Sequence, residues 1–155
     1  MKRKLFIYSG LFVALTMSGC QAAVPMEPAA LANDPECAEV IVRLPDTIGS
    51  FDRRTTNAQS TAAWGEPSAV LLRCGLEPSG PSALPCFTVN GVDWLRDDSQ
   101  APLYLFTTYG RTPAVEVFVD ADVASGTEAL DALGNSVGVL PTIGQCLAPE
   151  DVFAG

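Results

Sequence analysis

The residues of this 155-residue chain best suited to chemistry are its five cysteines: Cys20, Cys37, Cys74, Cys86 and Cys146. An odd count leaves one cysteine without a partner inside the chain, so one of the five must be a free thiol or have another chemical fate. Carboxylates form a second group. The stretch "VDWLRDD" carries Asp93, Asp97 and Asp98, and "VDAD" carries Asp120 and Asp122. Paired carboxyls can cleave glycosides if they flank a sugar cleft at a set separation. The plainer reading is that these acids solvate turns. Their spacing does not match a calcium loop and its glycine. Arginines form a third group. "RRTTNAQSTAAWG" and "TTYGRTP" put Arg53, Arg54 and Arg111 in loop-like segments beside Trp64 and Tyr109. A guanidinium fork beside an aromatic can grip a carboxylate or phosphate. Alternatively, the three arginines pair with the chain's many acids.

Missing residues narrow the chemistry further. The chain has no histidine, which removes Ser-His-Asp and Cys-His catalysis. Its lysines, Lys2 and Lys4, lie in the first four residues. The rest of the chain therefore has neither a Schiff-base lysine nor a phosphate-loop lysine. Closely spaced cysteine pairs of the zinc type or the redox Cys-x-x-Cys type are absent. No metal, no cofactor and no catalytic residue is expected.

The first nineteen residues have the layout of an export signal. "MKRK" is cationic, Leu5 to Met17 is apolar, and the small residues Ser18 and Gly19 precede Cys20. The apolar run is shorter than the roughly 20 residues that a spanning helix needs. "MSGC" resembles a bacterial lipobox, with Met17 standing where leucine is most common. That resemblance implies that Cys20 receives a diacylglyceryl thioether and becomes the new N-terminus. Cleavage after Ala22 or Ala23, or an uncleaved anchor, are the competing readings. The expected organisation is a signal peptide over 1–19, a lipidated cysteine and flexible Ala/Pro tether over 20–36, and one extracytoplasmic domain over 37–155.

Loss of residues 1–19 removes Lys2, Arg3 and Lys4 and leaves six arginines against eighteen acids, a net charge near −12. Such a field repels nucleic acid and gives no polybasic attraction to anionic lipid. Contact with the plasma membrane is therefore expected through the acyl chains, at the membrane's outer face.

The elements that must position these residues read mainly as strands. Ala38 to Leu44 and Ser68 to Cys74 are expected strands, separated by a polar loop from Pro45 to Ser60. In "CFTVNGVDWL", Asn90-Gly91 is a strong two-residue hairpin signal. It pairs Val89 with Val92, Thr88 with Asp93 and Phe87 with Trp94, and puts the apolar members on one face. Pro102 to Gly110 is apolar on both faces, as in a central strand. "AVEVFVD" alternates, with Val115, Val117 and Val119 inward. Ser125 and Glu128 form a capping box, and Leu130, Leu133 and Val137 continue at helical spacing. The expected fold is α+β: a mostly antiparallel sheet, one C-terminal helix packed on it, and disulfide staples.

Four cysteines can pair in three ways. The economical pairing joins Cys74 to Cys86 across the Pro/Gly loop, and Cys37 to Cys146 at the ends of the domain. Cys20 is then the residue left for lipid.

The segments "RRTTNAQSTAAWGEPSAVLLRCG", "VNGVDW" and "FTTYGRTPAVEV" together resemble an actinobacterial family of small exported or membrane-anchored proteins, known only as domain of unknown function 3515. The resemblance runs from about Cys37 to Cys146. It implies a cell-envelope setting and carries over no catalytic residue. The expected function is an uncharacterised, lipid-anchored envelope protein, acting as a binding or assembly accessory module with an envelope protein or wall ligand as partner. The alternatives are a small carboxylate-dependent hydrolase of wall material and a receptor for an anionic envelope ligand.

Overall fold

The computed structural model describes residues 22–147. Cys20 and the export signal lie outside the described residues. Eight strands form one antiparallel sheet: β1 (Thr47–Ile48), β2 (Phe51–Arg54), β3 (Thr61–Trp64), β4 (Val70–Leu76), β5 (Cys86–Val89), β6 (Val92–Gln100), β7 (Leu103–Thr108) and β8 (Ala114–Asp120). Their order is β1-β2-β3-β4-β8-β7-β6-β5. Two four-stranded meanders thus meet edge to edge at β4 and β8. Helices α1 (Pro35–Ile41) and α2 (Gly126–Val137) complete the fold.

Alternation along the strands makes one face apolar. Ala62, Trp64, Val70, Leu72, Val92, Trp94, Val115, Val117 and Val119 are buried there, together with Leu130, Leu133 and Val137 of α2 and Val40 of α1. The α+β expectation holds, with a second short helix added. The Asn90-Gly91 hairpin has the expected register, Val89↔Val92, Thr88↔Asp93 and Phe87↔Trp94. Both turn residues have positive φ, at 47° and 74°. Ser125 caps α2 by accepting the Glu128 N–H.

Ala38 to Leu44 does not form the expected strand. Asp34 accepts the Glu36 N–H at 2.9 Å, and Pro35 opens a helix whose inward residues are Cys37 and Val40. An aspartate cap followed by proline at the first helical position outweighs the β-branched run Val40–Val42. The segment Pro45 to Ser60, expected as a loop, contains β1 and β2, joined by a turn in which Gly49 has a φ of 56°. β3, which also lacked a clear periodic signal, is buried at all four positions.

The stretch expected as a free tether is seated on the domain from Ala22 onward. Val24 pairs with Thr56, its N–H donating to the Thr55 carbonyl at 2.9 Å and its own carbonyl accepting from Asn57. Leu31 N–H donates to Gly75 at 2.8 Å, and Ser60 Oγ donates to the Ala32 carbonyl at 2.5 Å. Gly75 is needed at this crossing, because a Cβ there would lie 2.5 Å from backbone atoms of Leu31 and Ala32.

Candidate functional site

The four cysteines beyond Cys20 pair as Cys37–Cys74 and Cys86–Cys146, with Cα separations of 5.6 and 5.7 Å. The expected pairing of Cys74 with Cys86 is corrected by strand order. β4 and β5 are consecutive in sequence but four positions apart in the sheet, or about 19 Å at the usual strand spacing. A disulfide spans no more than about 7 Å between Cα atoms. Cys37 instead fastens α1 under β4, and Cys146 fastens the C-terminal strap to the edge strand β5. Two disulfides fit an oxidising, extracytoplasmic compartment. Among the described residues, no helix is long and apolar enough to cross a membrane.

Arg53 and Arg54 both line two shallow clefts beside β2, but Arg111 is not brought to them. Arg53 and Arg54 are neighbours in β2, so their side chains leave opposite faces of the sheet. Arg53 reaches the α1 end, donating to the Leu44 and Ile41 carbonyls at 3.4 Å. Arg54 pairs with Glu66 and donates to the carbonyls of Gly65 and Ala22 at 3.3 and 3.1 Å. Arg111 shares none of these partners. It donates to the carbonyls of Gly138, Leu140 and Gly91, clamping the end of α2 to the hairpin turn. Each of the three satisfies main-chain carbonyls.

The acids are likewise dispersed. Asp93 accepts from Thr88 Oγ1 at 2.6 Å and from the Cys146 N–H at 2.7 Å. Asp97 accepts the Ser99 N–H at 2.9 Å, and hydrogen bonds from Ser99 hold its carboxyl below the usual 3.8. Asp98 pairs with Arg96, Asp120 accepts the Asp122 N–H, and Asp122 is exposed. Asp93, Asp97, Asp98 and Asp120 thus each engage a different partner. Among the described residues, no group of three or more cysteine or acidic side chains is placed to hold a metal ion.

A different site emerges where α2 meets the sheet. A cleft of about 470 Å³ lies between β5, β6 and β7 and the start of the helix, lined in part by Phe87, Arg96, Tyr104, Phe106, Ser125 and Thr127. Arg96 stands opposite Phe106 across β6 and β7. Phe106 packs edge-on against Phe87 at 6.1 Å and stacks with Tyr104 at 6.4 Å. Gly126 lets the helix approach, since a Cβ there would come within 3.0 Å of the Phe106 ring. Among the described residues, the Arg96 guanidinium pairs with Asp98 at 3.4 Å, both side chains being exposed. Such pairs contribute little, so the guanidinium can exchange partners at low cost. An aromatic wall with one cation in its lining suits an anionic group attached to an apolar body. Sequence reasoning passed over Arg96. Its only signal was its place on the inward face of β6, two residues after Trp94.

The model of the family described as "Protein of unknown function (DUF3515)" matches residues 6–143 of the chain. Neither the curated proteins nor the solved structures contain a match.

Proposed function

The chain belongs to the DUF3515 family of proteins of unknown function, and we propose that it is a lipid-anchored binding module of the cell envelope. Its ligand carries a carboxylate or phosphate on an apolar body, and is drawn from the envelope proteins or wall components outside the plasma membrane. One observation carries this reading: Arg96 lines the Phe87–Tyr104–Phe106 cleft, and its guanidinium is paired, among the described residues, with one exposed carboxylate. The anchor is assigned to Cys20, the one cysteine not used by the two internal bridges. A hydrolytic role gains no support, because the candidate carboxylates are dispersed over separate local hydrogen bonds.

Thermal unfolding of the disulfide-bonded chain with phenyl phosphate and decyl phosphate tests the cleft. A ligand at one hundred times its Kd stabilises by about 2.7 kcal/mol. A rise in Tm that Arg96→Ala removes is expected. An identical rise in that variant, or none with either probe, contradicts the assignment.

A further inference from the structure

β7 is apolar on both faces, yet both helices cover the same side of the sheet. On the helix-free side, cross-strand register aligns Arg54, Ala63, Leu71, Phe118, Leu105 and Asp97 in one row across β2-β3-β4-β8-β7-β6. Phe118 is 37% exposed, and Leu103, on the same face of β7 as Leu105, is 50% exposed. Among the described residues, the ion pair on this face between β4 and β8, Arg73–Glu116, is internally neutral, and Asp120 and Asp97 border the apolar residues opposite Leu103 and Leu105. Leu71, Phe118, Leu105 and Leu103 therefore form a continuous apolar strip, of the kind that marks an interaction surface.

The chain's own N-terminal course indicates what covers it. Arg54, at the β2 end of that row, holds the carbonyl of Ala22 at 3.1 Å. Cys20 lies two residues earlier, and two residues span at most about 7 Å. Phe118 is three strands from Arg54, or about 14 Å. A diacylglyceryl group on Cys20 would thus enter the bilayer beside the end of the strip, with no slack chain to lift the domain away.

We propose that the helix-free face of the sheet rests on the bilayer interface, with Phe118 and Leu103 dipping among the lipid headgroups. The proposal rests on the lipid anchor at Cys20. It turns the Arg96 cleft, on the opposite side of the sheet, outward to the envelope. Apolar side chains at an interface add to the binding that acyl chains supply.

The test uses the full lipidated chain in phosphatidylcholine vesicles with brominated acyl chains. Trp64 and Trp94 are fully buried and give a constant background. A new tryptophan by Phe118→Trp, or by Leu103→Trp if the first variant does not fold, is expected to be quenched severalfold more than one by Val42→Trp. Val42 is 75% exposed beside α1. Equal quenching at the two faces overturns the proposal. So does an unquenched Phe118→Trp signal, whether the protein sediments as a monomer or as a dimer that buries the strip in a second copy. Mass spectrometry of the same sample separates the two claims: a missing acyl group defeats the anchor, whereas an acylated chain without quenching defeats this orientation alone.

Discussion

The side-chain amide of Asn90 donates to the main-chain carbonyl of Asp131 at 3.0 Å, and Gly134, one turn further along α2, leaves the space that the asparagine occupies. A Cβ on Gly134 would lie 2.7 Å from Asn90. The hairpin turn is therefore seated on the helix, and the helix-weakening glycine is what admits it. Gly→Ala inside a helix normally stabilises by about 1 kcal/mol. Here Gly134→Ala is expected to destabilise by roughly 1–3 kcal/mol through overpacking. Addition of Asn90→Gly should recover part of that loss. Urea unfolding of the two single variants and the double variant measures this, and a stabilised Gly134→Ala contradicts it.

Glu116 is 5% exposed and faces Arg73 across β4 and β8, with Nε donating to Oε1 at 2.6 Å. Removing one partner strands a buried charge, at a cost of about 3–5 kcal/mol, whereas replacing both by apolar residues is often nearly neutral. Arg73→Met should therefore be much less stable than Arg73→Met combined with Glu116→Leu. Denaturation midpoints in the same buffer decide the order.

The Cys86–Cys146 bridge closes a separation of 60 residues. The chain-entropy model assigns such a loop roughly 4 kcal/mol. The paired change Cys86→Ser with Cys146→Ser should lose about that much, and should speed amide exchange at Ile143, which donates to Gly110 at 2.7 Å. An unaltered exchange rate at Ile143 would show that the strap holds without its bridge.

Asp97 accepts from Ser99, which favours the carboxylate and lowers its pKa below 3.8. A group with a depressed folded-state pKa stabilises above its unfolded value and loses that contribution as pH falls through the folded one. The irregular end of β6 should thus keep its Asp97–Ser99 bond down through the ordinary carboxylate range and release it only below pH 3.8. NMR titration of the Asp97 carboxyl carbon, followed with the Ser99 amide, reads this directly. A midpoint at or above the usual value counts against it.

What could be read in advance was local. Asn90-Gly91 dictates its own register, Val115, Val117 and Val119 alternate, and Ser125 with Glu128 announces α2. What could not be read depended on partners distant in sequence. β3 is a strand because Thr61 to Trp64 lie between β2 and β4, with Trp64 Nε1 donating to Pro45 at 3.1 Å. The disulfide pairing follows from β4 and β5 lying apart in the sheet, which no spacing of cysteines reveals. Arg53 and Arg54 could act as one fork only in a loop. Once β2 is a strand, period-two geometry sends them to opposite faces. α1 departs from expectation for a local reason: its aspartate-proline start, visible in the sequence, outweighs the β-branched residues that follow.

Each of the five cysteines has an assigned chemical fate. Non-reducing peptide mapping by mass spectrometry, on the full chain extracted from membranes, tests it most directly. The expected result is a Cys37–Cys74 bridge, a Cys86–Cys146 bridge and an N-terminal peptide that begins at Cys20 and carries a diacylglyceryl mass. A peptide beginning at Ala23 or Val24, or a Cys20 that is unacylated or joined to another cysteine, would contradict it.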